Sequence, residues 1–569
     1  MVVIRGALVG AVLWSLTAVS HGLTTSSPWI IKAFREKEAA QLQGAAAKRS
    51  GIEARDVDPG LLYPVRTLQV PVDHFHNDSR YKPHSDATFA LRYWFDASHY
   101  KKGGPVIVLQ GGETDGAGRL PFLQKGIVAQ LAQATGGLGV ILEHRYYGES
   151  FPVADLSTAN LRFLTTDQAL ADMAFFARHV VFPGLEHLNL TAPKTPYIAY
   201  GGSYAGAFVA FLRKLYPDVY WGAISSSGVT EAIYDYWEYY EAARLFGPPA
   251  CVAATQKLTD VIDKLALGKP RDTDDGVVQR LKEAFGLGNV TRTDDFANAI
   301  SFGIAGLQST NWDPTQSDPS FGLYCANVSS TAELYPDAPA GLEAEVRDLI
   351  STAGGYGGEL DTLTAQMLNY IGYVNVTTVS GCRPADQDVC FTNFNATFYR
   401  QDDIKQTWRA WPYQFCTEWG YLQTGSGVPA TQLPLISRLI DLNYTSAICR
   451  LAFDISTPSD VGSINKHGGF GISYPRLAII DGEKDPWRAA TPHALGLPPR
   501  PSTASQPFLL IADGVHHWDE NGLFPNQTVP GVLPPRPVAQ AQAAEAVFVK
   551  QWMREWTKTR CNNKRTCGK

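Results

Sequence analysis

The chain has 569 residues, of which 45% are hydrophobic and 18% are charged. This length suits about three or four average domains, or one large enzyme domain that carries an insertion, and the composition excludes a disordered or collagen-like protein. The formal net charge is −6, and no stretch interleaves aromatic with basic side chains, so nucleic acid is not an expected partner. Basic residues cluster only in the C-terminal tail: Lys558, Arg560, Lys564, Arg565 and Lys569.

The N-terminus has the pattern of a secretory signal peptide. Arg5 precedes an apolar run from Gly6 to Val19, which is too short to span a bilayer, and the run ends in the small-x-small site Ala18-Val19-Ser20. The alternative is a buried N-terminal helix. No later segment is apolar enough to serve as a membrane anchor, and we therefore expect export.

The cysteines and glycosylation sequons also indicate an exported protein. An even number of cysteines, eight, lies beyond the signal peptide, which indicates disulfides, and none forms a Cys-x-x-Cys pair, so no metal site is expected. Short separations favour Cys382–Cys390 and Cys561–Cys567, which leaves Cys251–Cys325 and Cys416–Cys449 as the simplest remaining pairing; spacing alone does not prove this connectivity. The destination is the extracellular space or a lysosome-like or vacuole-like compartment. The acceptor sequons are Asn77, Asn189, Asn289, Asn327, Asn375, Asn395, Asn443 and Asn526.

Short apolar runs bounded by glycine predict the strands of a parallel sheet. Runs that are apolar on both faces are typical of strands buried between helices, and helical patterns at Thr166–Val180, Ala205–Tyr216 and Ala539–Trp556 alternate with them. Strand alternating with helix predicts an open α/β sheet. The predicted strands are Pro105–Gln110, Gly139–Glu143, Pro196–Tyr200, Ala223–Ser225, Arg476–Ile480 and Pro507–Ile511.

A long helical segment interrupts this alternation. From about Glu231 to Ile440 the chain is helical and aromatic and shows no glycine-bounded strand run. We interpret it as an insertion, because a separate second domain would leave the first sheet unfinished. The predicted organisation is a signal peptide (1–20), an N-terminal extension or propeptide (21–60), a first core part (61–230), a helical cap (231–440), a second core part (441–557) and a basic tail with a local disulfide (558–569). Within the extension, Lys48-Arg49 is either a processing site or part of a solvated helix face.

The stretch from Tyr200 to Gly206 has the form of a nucleophile elbow. A strand ends, small residues flank Ser203, and a helix begins at once. The turn strains the serine backbone, so the residues two before and two after must be small, as Gly201 and Ala205 are. This turn exposes the serine Oγ at the sheet edge and directs the Tyr204 N–H toward a developing oxyanion. An ordinary glycine-rich strand-to-helix loop is the alternative.

An acid and a base follow the serine at later strand ends. In this fold the triad partners come in the order Ser, Asp, His. Asp481 lies at the terminus of one strand and is expected to be structural, which leaves Asp485 on the following loop to orient the histidine. His516 and His517 compete for the base after the next strand.

Several uncommon motifs occur together and in order. They are GGSYAG around the serine, EHRYYGES at Glu143–Ser150, Asp-Pro-Trp at 485–487, Gly-x-His-His at 514–517 and Trp-x-Tyr-Gln-x-Cys-Thr-Glu at 411–418. With these motifs the chain resembles the family of lysosomal Pro-X carboxypeptidase and dipeptidyl-peptidase II, serine peptidases that include fungal secreted prolyl peptidases. The resemblance spans about Val72 to Trp556.

The resemblance implies an α/β-hydrolase fold with a large helical cap inserted between the nucleophile and the acid of the triad. It assigns the triad to Ser203, Asp485 and His516, a choice between the two histidines that spacing leaves open. It also implies cap pairings that resemble Cys251–Cys325 and Cys416–Cys449, and cleavage on the carboxyl side of proline at acidic pH.

A proline-specific site needs an apolar pocket walled by aromatics and an oxyanion hole. Trp487 is the first choice for the wall, with Tyr421 and Trp419 as further choices that are otherwise core aromatics. Gly112 and Glu113 are the candidates for a second oxyanion N–H beside that of Tyr204. Human-type family members resemble Gly-Asn-Glu where this chain has Gly-Gly-Glu.

The sequence thus predicts a secreted, glycosylated serine peptidase that cleaves after proline through an acyl-serine intermediate and needs no cofactor. Its partners are proline-containing peptides or proteins. Carboxypeptidase, dipeptidyl and endopeptidase modes stay open, as does the oligomeric state, with a homodimer as one option. The alternatives are a carboxylesterase or lipase with the same triad and a non-catalytic hydrolase-like binding protein.

Overall fold

An eight-stranded mixed sheet forms the centre of the computed structural model, which describes residues 57–269, 276–382 and 386–563. The sheet order is β1-β2-β4-β3-β5-β6-β9-β10. The first pairings, β1 with β2 and β2 with β4, are antiparallel, and all the others are parallel. The strands are β1 (Arg66–Pro71), β2 (Thr88–Asp96), β3 (Val106–Gln110), β4 (Leu138–Leu142), β5 (Tyr197–Gly202), β6 (Tyr220–Ser226), β7 (Ile233–Asp235), β8 (Gly420–Leu422), β9 (Leu477–Gly482) and β10 (Phe508–Ile511).

Helices cover both faces of this sheet. One face packs against the helices Thr166–His179 and Tyr204–Leu215, and the other against Leu120–Gln124, Ile127–Thr135 and Arg536–Asn563. The strand order and the helices on both faces are those of an α/β-hydrolase, so the predicted fold class is confirmed.

The segment between β6 and β9 is the long helical excursion of the chain. It adds a two-stranded parallel sheet, β7 with β8, that the sequence did not predict. Because these strands have three residues each, they are too short to leave a readable pattern. The apolar side chains of this segment share one continuous core with the first face of the sheet.

The remaining helices are mostly short. The α-helices not yet given are Pro59–Leu62, Thr158–Leu161, Glu241–Phe246, Pro249–Ala266, Gly276–Ala284, Thr293–Ile300, Phe302–Ala305, Ser320–Val328, Leu342–Ala353, Leu360–Thr377, Asp388–Phe391, Ala396–Tyr399, Ala410–Gln414, Leu442–Thr445, Ala447–Phe453 and Gly462–Asn465. A π-helical turn spans Phe415–Trp419. The 3₁₀ turns are Ser79–Tyr81, Gly116–Arg119, Trp237–Tyr240, Gly306–Ser309, Gly357–Glu359, Val379–Gly381, Thr407–Arg409, Gly469–Gly471, Arg488–Ala490 and Pro525–Gln527.

Three disulfides tie the helical segment together: Cys251–Cys325, Cys382–Cys390 and Cys416–Cys449. Cys567 lies outside the described residues, and with it the expected Cys561–Cys567 pair. The expected signal peptide, nearly all of the N-terminal extension and the second half of the basic tail lie outside them too. None of the described helices has the length and apolar character needed to cross a membrane.

The sequon asparagines differ in exposure. Asn327, Asn375 and Asn395 are half-buried, and the Nδ2 of Asn375 donates hydrogen bonds to the carbonyls of Phe285 and Ile371. A glycan on the Asn375 Nδ2 would replace one of its two N–H donors and so break at least one of these bonds. The exposed asparagines are Asn77, Asn189, Asn289, Asn443 and Asn526.

Candidate active site

The elbow at Ser203 joins the end of β5 to the helix Tyr204–Leu215. Ser203 has φ 57° and ψ −124°, a strained backbone for a residue with a side chain. The turn is tight, because a Cβ added to Gly201 would lie 2.2 Å from the carbonyl oxygen of Ala205. Only glycine fits there, which explains the small residues around the serine.

The structure brings Ser203, His516 and Asp485 together. The Ser203 Oγ lies 3.0 Å from the His516 Nε2, and the His516 Nδ1 lies 2.8 Å from the nearer Asp485 oxygen. Asp485 follows β9 and His516 follows β10, so the carboxyl ends of three parallel strands place the group at one sheet edge. The arrangement is that of a serine nucleophile with its base and the carboxylate that orients the base.

Asp485 is fully buried but ionised. Burial by itself would raise its pKa, but nearby His516 and the hydrogen bonds from Ser227 and the Trp487 N–H outweigh burial and hold the pKa below the usual value. A buried carboxylate of this kind stabilises the imidazolium that forms when the histidine takes a proton.

The competing residues have other partners. The His517 N–H donates to the Ser227 Oγ at 3.2 Å, and its Nδ1 lies 3.4 Å from a Glu520 oxygen. Asp481 lies 2.6 Å from the Nδ1 of His493. Geometry therefore favours His516 over His517 as the base and Asp485 over Asp481 as the orienting acid.

The oxyanion candidates are not equivalent. The Gly112 N–H already donates to the Gln110 Oε1, so this part of the prediction needs correction: Gly112 has no N–H left for an oxyanion. Tyr204 is the first residue of its helix, where an N–H has no intrahelical acceptor. Tyr204 and Glu113 thus remain as candidate donors.

The aromatic residues predicted for the pocket differ in exposure. Trp419 and Tyr421 have no exposed surface; the Trp419 Nε1 donates to the Thr166 Oγ1, and the Tyr421 hydroxyl lies within 2.9 Å of the Val229 carbonyl. These two side chains lie behind the site and do not line it. Trp487 keeps 4% of its surface exposed, and its ring centroid lies 6.5 Å from that of His516.

Ionic pairs support the site from behind. Arg92 donates to Glu143 at 2.8 Å, and the buried Arg145 donates to Asp172 at 2.6 Å. The His144 Nε2 lies 3.0 Å from the Tyr204 hydroxyl, and burial lowers the pKa of His144 to about 4. The contact with Tyr204 holds the first residue of the helix that follows the nucleophile.

Sequence reasoning missed a group of buried carboxyls next to the triad. A Cβ on Gly202 would meet a Glu520 oxygen at 2.5 Å, so this carboxyl lies against the nucleophile loop. Burial raises the pKa values of Asp519 and Glu520 to about 7, and that of Glu545 well above its usual value. The sequence carried a weak signal, since Glu545 interrupts a run of small and apolar residues in the C-terminal helix.

Arg119 was also missed. It ends the 3₁₀ turn Gly116–Arg119 that follows the oxyanion loop, is half-buried, and donates from its Nε to the Gly111 carbonyl at 3.2 Å. An isolated arginine in a glycine-rich loop carries no sequence signal of its own.

One cluster away from the triad residues has the side chains to hold a metal ion. Asp73, His76 and His84 place their ligand atoms within 4.8 Å of one another in the loop after β1. The Asp73 carboxylate also accepts hydrogen bonds from the Phe75 N–H and from Gln168. None of these partners belongs to the triad.

Comparisons with known proteins point to a family of serine peptidases. Residues 71–301 match the family described as Serine carboxypeptidase S28. A protein of Arthroderma benhamiae named "Probable extracellular serine carboxypeptidase" is 54% identical over 518 residues, covering 90% of this chain and 71% of that protein. "Serine protease vicPa" of Bipolaris victoriae is 29% identical over 81% of this chain and 84% of its own length.

Among solved structures, proline iminopeptidase from Mycobacterium smegmatis covers 86% of this chain and 99% of its own, with 12% identity and a TM-score of 0.32. The sequence matches, rather than this likeness, establish the relationship. The chain belongs to the serine carboxypeptidase S28 family of serine peptidases.

Proposed function

We propose that this chain is an extracellular peptidase that cleaves peptides on the carboxyl side of proline at acidic pH, with Ser203, His516 and Asp485 as its triad. The observation that carries the proposal is the continuous chain of hydrogen bonds from the Ser203 Oγ through His516 to Asp485. Serine is a weak nucleophile unless a base of this kind removes its proton.

In the acylation step, the Ser203 Oγ attacks the carbonyl carbon of the proline residue while the His516 Nε2 takes the hydroxyl proton. Asp485 holds the imidazole in the required tautomer and stabilises its positive charge. The tetrahedral oxyanion accepts hydrogen bonds from the Tyr204 and Glu113 N–H groups. His516 then gives its proton to the leaving amine as the C–N bond breaks, which leaves an ester on Ser203.

In the deacylation step, water replaces the amine. His516 takes a proton from the water as its oxygen attacks the ester carbonyl, and it returns the proton to the Ser203 Oγ when the ester C–O bond breaks. The products are a peptide with a new carboxyl terminus and the regenerated serine. The complete cycle consumes only the peptide and one water molecule.

Trp487 supports specificity for proline. Its ring stacks on Tyr236 with centroids 5.2 Å apart, and it lies next to His516. The Trp487 Nε1 donates to Gln308 at 2.9 Å, which fixes the ring orientation. A rigid, flat aromatic ring beside the base suits the compact, rigid pyrrolidine ring, because such contacts cost little conformational entropy.

Two carboxyls beside the reacting atoms support an acidic working range. Burial raises the pKa of Glu520 to about 7 and also raises that of Glu113. When these groups are ionised, their negative charge opposes the oxyanion; when they are protonated, this repulsion is absent. We therefore expect activity to fall as pH rises through about 7.

Extracellular action is supported by the name of the Arthroderma relative and by the three disulfides, which persist in oxidising compartments. The expected signal peptide and the exposed sequons point the same way.

Matched peptides with one internal proline test the proposal. The amino end, the carboxyl end or both ends are blocked, and hydrolysis is measured at pH 4–7 for the wild type and for Ser203→Ala. Cleavage after proline that is lost in Ser203→Ala supports the proposal, and the tolerated blocking pattern gives the mode. Ester turnover without cleavage of any peptide would contradict it.

A further inference from the structure

Arg119 is an arginine with unused hydrogen-bonding capacity at the edge of the candidate active site. A guanidinium carries five N–H donors, and only the Nε of Arg119 donates, to the Gly111 carbonyl. Within the described part of the chain, its two terminal nitrogens donate to no protein acceptor. By contrast, the buried guanidinium of Arg145 donates to Asp172 and to backbone carbonyls.

The position of Arg119 is fixed relative to the nucleophile. A Cβ on Gly112 would lie 3.9 Å from the Arg119 Nη2 and 3.6 Å from the Cβ of Ala205. The guanidinium and the first turn of the nucleophile helix thus flank the same glycine. The bond to Gly111 ties the guanidinium to the loop that also holds Glu113, a candidate oxyanion donor.

The charged groups around Arg119 favour an incoming anion at acidic pH. Burial raises the pKa of both Glu113 and Glu520, and the charge of Arg119 opposes this rise in each. Asp115, on the same turn, is already paired with Arg92. His516 and His517 approach from the opposite loop. When Glu113 and Glu520 hold protons, they no longer balance the positive charge of Arg119.

We propose that Arg119 binds the free carboxylate of a peptide's last residue. The inference rests on the proposed peptidase function and adds the residue of this chain that recognises an unblocked carboxyl end. A guanidinium suits this ligand because its planar fork matches a carboxylate with two parallel hydrogen bonds.

The location also suits release of a single residue. The carboxylate of the last residue follows the scissile bond within about one residue length, roughly 3.3–3.6 Å, so its receptor must lie beside the reacting atoms. Arg119 belongs to the turn that directly follows the oxyanion loop. Burial favours the neutral forms of Glu113 and Glu520, so these carboxyls suit a substrate ammonium less well.

The test compares two substrates that differ only at the carboxyl end. One peptide has a blocked amino end and finishes in Pro-Phe with a free carboxylate; the other carries an amide at that end. Both are measured at pH 5 with the wild type, Arg119→Gln, Arg119→Lys and, as a control, Arg347→Gln. Arg347 is an exposed arginine that pairs with Asp361.

We expect the wild type to prefer the free acid and Arg119→Gln to lose that preference. Loss of a charge-assisted contact should lower kcat/KM for the acid by about 10- to 100-fold, mainly through KM, while cleavage of the amide changes by less than about 2-fold. Arg119→Lys should recover part of the preference, and Arg347→Gln should match the wild type. Titration of Ser203 with a fluorophosphonate counts the folded active sites in each variant.

Three results would overturn the proposal. They are equal cleavage of acid and amide by the wild type, an equal loss on both substrates in Arg119→Gln, and a requirement for a free amino end that Glu113→Gln or Glu520→Gln removes. A second pair ending in Ala-Phe separates this proposal from the proposed function. Failure of proline specificity appears as equal cleavage of the proline and alanine pairs, whereas failure of the Arg119 proposal appears in the ratio of acid to amide.

Discussion

At the scale of single residues, the account depends on what each polar side chain contacts. Ser203, His516 and Asp485 form one hydrogen-bonded chain, whereas Asp481, only four residues before Asp485, pairs with His493. Asp481 lies near the end of β9 and Asp485 lies on the loop that follows it, and each has its own histidine partner. This difference makes them a matched pair for testing the assigned roles.

Asp485→Asn should lower kcat by about 10⁴-fold, because an asparagine at this position favours the wrong tautomer of His516 while leaving the packing intact. Asp481→Asn should leave kcat within a few-fold of the wild type. Steady-state kinetics on a proline peptide at pH 5 checks both variants. If the two substitutions lower kcat by the same factor, Asp485 does not have the orienting role.

Glu520→Gln should extend activity toward neutral pH. Burial raises the pKa of Glu520 to about 7, so the wild type acquires a negative charge beside the nucleophile loop as pH rises through that value. Glutamine stays neutral and keeps a similar shape. The alkaline limb of the kcat/KM profile should therefore shift to higher pH. An unchanged profile would show that Glu520 does not set this limb.

The triad could be predicted from the sequence because its members follow glycine-bounded strands, and the resemblance to a family decided between His516 and His517. Arg119 and Glu520 could not be predicted, because their importance comes from burial and from charges brought close by folding. Trp419 and Tyr421 were assigned to the pocket, but the fold buries them, and an aromatic side chain in sequence does not reveal which of its faces is covered.

At the scale of elements, the strand-to-helix turn places the nucleophile. Gly201→Ala should abolish activity and destabilise the protein, because the new Cβ would lie 2.2 Å from the Ala205 carbonyl oxygen. Gly322→Ala is the control: Gly322 lies in the helix Ser320–Val328 with open space around it. That change should stabilise the helix by about 0.5–1 kcal/mol. Thermal unfolding and peptide cleavage, measured together, test the pair, and an active Gly201→Ala enzyme would contradict the elbow.

The elements that could be predicted are those buried on both faces. Every residue of β3 and β4 is buried, which produces a continuous apolar run. At the antiparallel edge, β1 alternates between half-buried and exposed residues, and the first part of β2 alternates between exposed and buried ones. These strands therefore show no continuous apolar run and were missed. The helical insertion was visible because it interrupts the alternation of strand and helix.

At the scale of the whole molecule, buried carboxyls predict greater stability in acid. Burial raises the pKa to about 6 for Asp263, to about 7 for Asp295, Glu418, Asp519 and Glu520, and further for Glu545. Between the ordinary carboxyl values and about pH 7, the folded chain binds more of these protons than the unfolded chain. The free energy of unfolding therefore decreases as pH rises through this window.

Two buried histidines act in the opposite direction. Burial lowers the pKa of His144 and His467 to about 4, so their contribution to stability rises with pH between about 4 and 6.5. The larger number of carboxyls should prevail, and Tm should be about 5 °C or more lower at pH 7.5 than at pH 5.

Glu545, whose carboxyl has no hydrogen-bond partner among the described residues, provides the control: Glu545→Gln should raise Tm at pH 7.5 and change it little at pH 5. A Tm that rises from pH 5 to pH 7.5 would contradict the predicted direction of the change.

The most direct test of the central claim is to identify the bonds that the enzyme cuts in an unbiased mixture. A library of peptides with varied carboxyl ends is incubated at pH 5 with the wild type and with Ser203→Ala, and mass spectrometry reads the new termini. We expect trimmed peptides whose new carboxyl-terminal residue is proline, and none with Ser203→Ala. New termini without enrichment in proline, or the same products from Ser203→Ala, would contradict the assignment of this chain as a proline-specific peptidase that acts through Ser203.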